Sequence, residues 1–192
     1  TIVGQDPSFY PITKFSIEKS NRITAVSQYL KDETCRAFGC DGPDIDVIHN
    51  FIEPDVYNRG KYPPLLKNQV GQSKPILMHV SNFRSVKRVR DVVRIFAEVN
   101  RELPSVLVMI GDGPDRPAAE EEARMLGVAD SVSFLGKLEQ IAPHLAAEDL
   151  FLLPSQIASF GLSALEALVS GVAVIGSDPR GPGWCAGRGR RG

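Results

Sequence analysis

Five short apolar runs recur between residues 75 and 176, and a segment with helical spacing or turn residues follows each of the first four. Runs of this length, nearly free of polar interruptions, are typical of parallel strands that are covered on both faces. Because consecutive parallel strands need crossover segments, the alternation predicts βαβ units. We therefore expect an α/β fold with a Rossmann-like parallel sheet and helices on both faces. The runs are residues 75–80, 105–110, 131–135, 150–153 and 172–175.

The segments between these runs have the features of helices. After the first of these segments, helices are predicted at 117–126, 141–147 and 162–170. The last ends at Gly171, where glycine readily adopts a left-handed cap. The first segment repeats apolar residues at helical spacing and so offers one face for burial. Those residues are Val89, Val92, Val93, Phe96 and Val99.

The first fifty residues repeat this pattern more weakly. Helices are predicted at 12–20 and 27–38, the second capped by Ser27, and strands at 22–26 and 45–48. The next segment contains three prolines and is predicted to be a connector. We therefore expect the C-terminal remnant of one Rossmann-like domain, a connector, and most of a second Rossmann-like domain. Their predicted bounds are 1–50, 51–73 and 74–178.

Residues 179–192 contain mainly glycine, arginine and proline, without apolar periodicity. Such a segment cannot bury enough apolar surface to offset its ordering entropy, so we predict a disordered tail. A basic RNA-binding tail is one alternative, but a non-native ending, for instance from a shifted reading frame, is favoured over it.

Composition excludes several classes of protein. The net charge of −1 offers no electrostatic reason to expect a nucleic-acid partner. No apolar run approaches the roughly 20 residues that a membrane-spanning helix needs, and no signal-peptide pattern is present. Cys35, Cys40 and Cys185 lack the spacing of a zinc site, and we expect free thiols. These features predict a cytoplasmic protein and leave a homo-oligomer open.

The loop after the first run of the second domain carries two cationic side chains. Ligands of open parallel sheets bind at the carboxyl ends of the strands, and this loop, residues 81–88, leads directly into a helix. Arg84 and Lys87 are three residues apart and, with the free amides of a helix N-terminus, can cradle a diphosphate. The alternative is a solvated basic surface.

Two further loops are candidates for the same site. Gly111-Asp-Gly-Pro114 allows close backbone approach, although alone it is also typical of an ordinary turn. Residues 159–162 would present backbone amides at a helix N-terminus. Glu166, further along that helix, could accept two hydroxyl hydrogen bonds from a ribose, or be a solvent-exposed glutamate.

The remaining polar residues indicate no other chemistry. His49, His79 and His144 have no serine or cysteine partner at a recognisable spacing, so we interpret them as core or surface residues. No Asp-x-Asp pair follows a predicted strand, and we expect neither a metal nor another cofactor.

Several motifs, taken in order, make the chain similar to the family-four retaining glycosyltransferases. The resemblance covers residues 74–175 and implies the GT-B fold, which has two Rossmann-like domains, and a nucleotide-sugar donor. The motifs are Gly111-Asp-Gly-Pro114, Phe134-Leu-Gly-Lys137, Leu152-Leu-Pro-Ser155, Ser159-Phe-Gly-Leu162, Leu165-Glu-Ala167 and Gly171-Val172.

Within this family the chain resembles a subfamily of bacillithiol biosynthesis, marked by His79-Val-Ser-Asn-Phe-Arg-Ser-Val-Lys-Arg88. That resemblance implies transfer of N-acetylglucosamine from UDP-GlcNAc to L-malate, with retention at the anomeric carbon. It assigns Lys87 and Arg84 to catalysis, through the donor diphosphate. It assigns the following residues to substrate binding: Asn82, Gly113, Gly136, Lys137, Leu138, Ser159, Phe160, Gly161, Leu162 and Glu166.

The chain departs from the family pattern in three places. Ala158 stands where the family has a second glutamate, and family segments are expected before residue 1 and after residue 178. We therefore expect a partial, inactive copy that is incomplete at both ends. The alternatives are another family-four transferase of lipopolysaccharide or capsule synthesis, a non-catalytic nucleotide-sugar-binding module, and a dinucleotide-dependent oxidoreductase. The last is disfavoured because no GxGxxG follows a first strand.

Overall fold

Two helices and two short parallel strands make up the described part of residues 1–51. The computed structural model describes residues 6–39, 45–63, 74–156 and 160–177. Ser27 caps the second helix, because its hydroxyl oxygen accepts a hydrogen bond from the Leu30 amide at 3.2 Å. The sequence predicts all four elements to within two residues. They are α1 (Tyr10–Lys19), β1 (Ile23–Ala25), α2 (Gln28–Phe38) and β2 (Ile45–Val47).

Strands and helices alternate strictly through the described part of residues 74–177. Strand β3 is Ile76–Val80, β4 Val106–Ile110, β5 Val132–Gly136, β6 Leu150–Leu153 and β7 Ala173–Gly176. The helices are α3 (Val89–Glu102), α4 (Arg116–Met125), α5 (Ala142–Leu145) and α6 (Leu162–Val169). Within the described residues, 3₁₀ turns lie at Ser85–Lys87 and Ala129–Ser131, and another lies earlier, at Arg59–Lys61. The predicted α/β alternation is confirmed, although α5 is a single turn, shorter than predicted.

The five strands β3 to β7 form one parallel sheet in the order β5-β4-β3-β6-β7. The first strand, β3, therefore lies in the centre, between β4 and β6. Chain order runs outward in one direction through β4 and β5, and in the other through β6 and β7. The boundary between β3 and β6 is thus the topological switch point, where open α/β sheets bind ligands.

Alternate residues of the central strands supply two separate cores. On one face Leu77, Leu107 and Leu152 pack with the apolar stripe of α3 and with α4. On the opposite face Met78 and Phe151 pack with residues of α5 and α6. This two-residue alternation, with both faces apolar, is what a doubly covered parallel sheet requires. The prediction of helices on both faces is confirmed.

The chain divides into two compact units, Thr1–Phe51 and Ile52–Gly192. Part of the segment predicted as a connector packs on the second unit. Tyr57 lies against the core that α5 and α6 cover. Arg59 donates hydrogen bonds to the backbone carbonyls of Ala146 at 2.6 Å and Glu148 at 2.8 Å.

Cys35 corrects one prediction, because it is disulfide-bonded and so is not a free thiol. The sequence argument rests on the odd number of cysteines and on the absence of a zinc or redox spacing, and neither rules out a single disulfide. The predicted tail at 179–192 lies outside the described residues. Within the described residues, no helix combines the length and apolar character needed to cross a membrane.

Candidate functional site

The loops that follow β3, β4, β5 and β6 share one edge of the sheet, because parallel strands end at the same edge. The loops after β3 and β6 flank the switch point, and the loop after β4 lies next to that after β3. These are the three loops that the sequence analysis singles out. Their relative placement follows from the strand order, which the sequence alone does not provide.

The loop after β3 presents Arg84 and Lys87 on a tight turn. The Lys87 amide donates to the Arg84 carbonyl at 2.7 Å, and Ser85–Lys87 forms a 3₁₀ turn. Arg84 is exposed and Lys87 half-buried, and this burial lowers the pKa of the Lys87 ammonium. Arg88 pairs with Asp91 at 2.6 Å. Among the described side chains, none forms an ion pair with Arg84 or Lys87.

The loop after β4 packs directly on the backbone of the loop after β3. A Cβ atom at Gly111 would lie 1.8 Å from the Ser81 carbonyl oxygen, and one at Gly113 would lie 2.3 Å from the Asn82 carbonyl oxygen. Gly111 also has a φ of +123°, which disfavours any side chain there. The glycines are therefore required by close contact between the two loops, beyond the needs of an ordinary turn.

The loop after β6 is bonded to the loop after β3 across the switch point. The Gln156 amide donates to the Val86 carbonyl at 2.9 Å. Further along, Phe160 is buried and Gly161 has a φ of +84° at the start of α6. Leu162 is exposed at the first position of that helix. Ser159, predicted to bind the donor, and Ala158 lie outside the described residues.

Glu166 is held by a residue that sequence reasoning missed. The Tyr57 hydroxyl donates to Glu166 Oε1 at 2.7 Å. Burial is the main cause that raises the pKa of the Glu166 carboxyl, and burial followed by the bond to Glu166 raises the pKa of the Tyr57 phenol well above its usual range. Tyr57 lies 109 residues earlier in the chain, in the predicted connector, and no local pattern indicated this contact.

The end of β5 and the segment after it contribute backbone and apolar contacts. The Gly136 carbonyl accepts a hydrogen bond from the Gly111 amide at 2.7 Å. Lys137 is exposed, and Leu138 packs partly buried against the core that α5 and α6 cover.

Some of the predicted site residues therefore lie on loops that contact one another, and others are held by different contacts. Backbone contacts join the loop of Arg84 and Lys87 to the glycine loop and to Gln156, whereas Glu166 is held by Tyr57. Across the residues described, no group of three His, Cys, Asp or Glu side chains is arranged to hold a metal ion. A cationic turn at a topological switch point is suited to bind an anion such as a diphosphate.

Comparison with known proteins identifies the family. Residues 66–190 match the family described as Glycosyl transferases group 1, and this match spans more than half of the chain. The chain belongs to this family. This group 1 glycosyltransferase is 42% identical over 178 residues to N-acetyl-alpha-D-glucosaminyl L-malate synthase from Bacillus anthracis. The aligned region covers 92% of this chain and 46% of that protein. The chain spans about half the length of the curated relatives it matches.

Solved structures agree with the family assignment at the level of the fold. WaaG, a glycosyltransferase of lipopolysaccharide biosynthesis, superposes with a TM-score of 0.81 at 18% identity, covering 97% of this chain and 54% of WaaG. HepE from Anabaena, in complex with UDP-glucose, superposes with a TM-score of 0.79 at 19% identity, covering 96% of this chain and 52% of HepE. The group 1 chain therefore has part of the GT-B glycosyltransferase fold, as the sequence analysis predicts.

Proposed function

We propose that this chain forms the donor-binding part of a retaining transferase that moves N-acetylglucosamine from UDP-GlcNAc to L-malate. The observation that carries the proposal is its 42% identity, over 92% of its length, to the enzyme of B. anthracis named for that product. The geometry supports it, since an exposed and a half-buried cation, Arg84 and Lys87, lie on one turn at the switch point. HepE, which has the same fold, is seen with UDP-glucose.

In this proposal the predicted residues divide the donor among them. Arg84 and Lys87 bind the diphosphate, with Asn82 beside them, and Glu166 accepts hydrogen bonds from the uridine ribose. The backbone after β4, the end of β5 with the segment after it, and the start of α6 surround the sugar and the base. Those segments contain Gly113, Gly136, Lys137, Leu138, Ser159, Phe160, Gly161 and Leu162.

The proposed reaction needs charge stabilisation more than it needs an acid or a base from the protein. The malate hydroxyl oxygen attacks the anomeric carbon on the face from which the anomeric carbon–oxygen bond to the β-phosphate breaks. The hydroxyl proton passes to the departing phosphate oxygen, which leaves UDP and N-acetylglucosaminyl malate. Negative charge grows on that phosphate as the bond breaks, and Arg84 and Lys87 would stabilise it without a metal ion.

Calorimetric titration of the 192-residue chain tests the donor half of this proposal. We expect UDP and UDP-GlcNAc to bind and NAD not to bind. Binding of NAD without UDP would contradict the proposal and favour a dinucleotide-dependent oxidoreductase. Binding of UDP without turnover is expected of this chain both as a partial, inactive transferase and as a non-catalytic binding module, so this titration tests the donor site alone.

The acceptor is tested by the release of UDP from UDP-GlcNAc by the intact parent protein, because this chain spans about half the length of its curated relatives and is itself expected to be inactive. Release that depends on L-malate is the expected result. Release that depends on a lipid-linked acceptor, and not on malate, would contradict the malate assignment and favour a transferase of lipopolysaccharide or capsule synthesis.

Replacing Tyr57 by phenylalanine is expected to weaken UDP binding about fivefold. The variant keeps the packing of the ring but loses the hydrogen bond that holds Glu166, a bond whose net value is about 1 kcal/mol. Tyr62→Phe is the matched control, because the Tyr62 hydroxyl donates to the Val56 carbonyl instead. Equal weakening in both variants, measured by calorimetry, would show that the effect does not act through Glu166.

We also propose that the protein acts in the cytoplasm, without a nucleic-acid partner. The near-neutral net charge of −1 supports the second point. Trapping of thiols during extraction tests the first: recovery of Cys35 as a reduced thiol would support a cytoplasmic location, whereas persistence of the disulfide that the structure contains would indicate an oxidising compartment.

A further inference from the structure

His79 lies where strands β3 and β6 separate. The two strands pair at Leu77 with Leu150 and at Met78 with Phe151. One residue beyond this pairing, His79 Nδ1 lies 2.8 Å from the Leu152 carbonyl oxygen. A carbonyl can only accept, so Nδ1 carries the hydrogen. The fully buried imidazole thus extends the link between β3 and β6 by one residue, through a side chain instead of the backbone.

The other ring nitrogen faces the loop that follows β3. His79 Nε2 lies 2.8 Å from Ser81 Oγ, and burial lowers the pKa of His79 to about 4, so the ring is neutral near pH 7. Because Nδ1 carries the only ring hydrogen, Nε2 accepts and the Ser81 hydroxyl donates. Ser81 Oγ in turn accepts a hydrogen bond from the Phe83 amide at 3.3 Å. A continuous relay therefore runs from Leu152 through His79 and Ser81 to Phe83.

The end of this relay is a strained residue that begins the cationic turn. Phe83 has a φ of +31° and Arg88 a φ of +53°, in the region that bulky side chains rarely adopt. The two residues bracket Arg84 and Lys87. Such a backbone persists only when its surroundings hold it. Phe83 is held at its amide by Ser81 and at its carbonyl by the Asp115 amide, which donates at 3.0 Å.

We propose that His79 and Ser81 are positioning residues, which hold the turn carrying Arg84 and Lys87 in its anion-binding conformation by tying it to β6. The inference rests on the proposed function for the identity of the anion, a nucleoside diphosphate. The positioning itself rests on the relay of hydrogen bonds. Neither residue touches the donor in this proposal.

Hydrogen exchange of the 192-residue chain tests the positioning. In Ser81→Ala the relay is cut, and we expect the amides of Phe83 and Lys87 to exchange about tenfold faster, while amides in β4 keep their rates. Ser81→Thr keeps the hydroxyl and should restore slow exchange. Unchanged exchange at Phe83 and Lys87 in Ser81→Ala would overturn the proposal, whatever the chain binds.

Titration of the same variants with UDP and with uridine tests the consequence for binding. Ser81→Ala should weaken UDP about fivefold and leave uridine unchanged, because uridine has no phosphate. His79→Asn keeps a donor towards Leu152 at the position of Nδ1 but has no atom at the position of Nε2 to accept from Ser81. It should match Ser81→Ala, and the double variant should be no weaker than either single variant.

The outcomes separate this inference from the proposed function. If the unaltered chain does not bind UDP, the proposed donor site fails, and exchange alone then decides whether the relay holds the turn. If the unaltered chain binds UDP and Ser81→Ala binds it equally well, the relay has no part in anion binding and the inference fails. Additive losses in the double variant would also overturn it.

Discussion

Replacing Glu148 by glutamine is expected to raise the free energy of unfolding by about 3 kcal/mol at pH 7. Glu148 precedes β6 and its side chain is fully buried. Among the described residues, none offers a hydrogen bond to either of its carboxylate oxygens. Burial raises the pKa of this carboxyl to about 9, so it is protonated in the folded chain near neutral pH. Glutamine has nearly the same shape and is neutral at every pH.

The sign of this effect follows from proton binding. The pKa of Glu148 is about 9 in the folded chain, against the ordinary value of 4.5, so the folded state binds the proton more tightly. The contribution of Glu148 to the free energy of unfolding is most favourable below pH 4.5 and is lost progressively as pH rises towards 9. The gain from Glu148→Gln should therefore shrink to below about 1 kcal/mol at pH 5. Urea unfolding at pH 5 and pH 7 measures both values.

An ion pair between Arg59 and an ionised Glu148 would contradict this expectation. Two nitrogens of Arg59 donate to the carbonyls of Ala146 and Glu148, and neither side-chain oxygen of Glu148 has a hydrogen-bond partner among the described residues. If that carboxylate were ionised and paired with Arg59, Glu148→Gln would lower the stability at pH 7. Glu102→Gln, at the exposed end of α3, is the matched control and should change stability by less than about 0.5 kcal/mol.

Lowering the pH also affects stability through His79, and here it reduces the free energy of unfolding. The pKa of His79 is about 4 in the folded chain, against an ordinary value of 6.5, so the unfolded state binds the proton more tightly. The stability associated with neutral His79 is present above pH 6.5 and is lost as pH falls towards 4. This loss is common to the unaltered chain and Glu148→Gln, so it cancels in their difference at pH 5.

Periodicity predicts the elements of this fold well because their burial is uniform. The residues predicted to form the buried face of α3 do pack on the sheet, and β6 begins and ends where the apolar run does. Such elements depend on nearby residues alone. Knowing that ligands bind where parallel strands end then directs attention to the correct loops, even without the strand order.

The residues that sequence reasoning missed depend on contacts between distant segments. Tyr57 reaches Glu166 over 109 residues and His79 reaches Leu152 over 73, and no short pattern encodes either pair. The sequence leaves His79 open as a core or a surface residue; the structure buries it, and its link to Ser81 depends on the folded loop. The disulfide at Cys35 is a separate error, since an odd number of cysteines without a motif spacing does not rule out a single bridge. Local periodicity cannot report pairings that only the completed fold creates.

Replacing Lys87 by methionine is expected to weaken UDP binding about 100-fold and to leave uridine binding unchanged. The variant keeps most of the aliphatic stem of this half-buried side chain and removes only the ammonium. A hydrogen bond between charged groups is worth about 1.5–3 kcal/mol, and partial exclusion of water strengthens the attraction. Calorimetric titration with UDP and uridine measures the two affinities in one preparation.

Lys74→Met controls for the change in net charge. Lys74 is exposed and precedes β3, so it lies at the amino end of the strand whose carboxyl end leads to Lys87. The two variants lose the same charge from opposite ends of β3, and only the one at the carboxyl end should lose affinity for UDP. Equal losses in both would mean that long-range attraction to the whole chain holds the diphosphate. In that case the turn of Arg84 and Lys87 would not be the binding site, because a local site requires the ammonium of Lys87 itself.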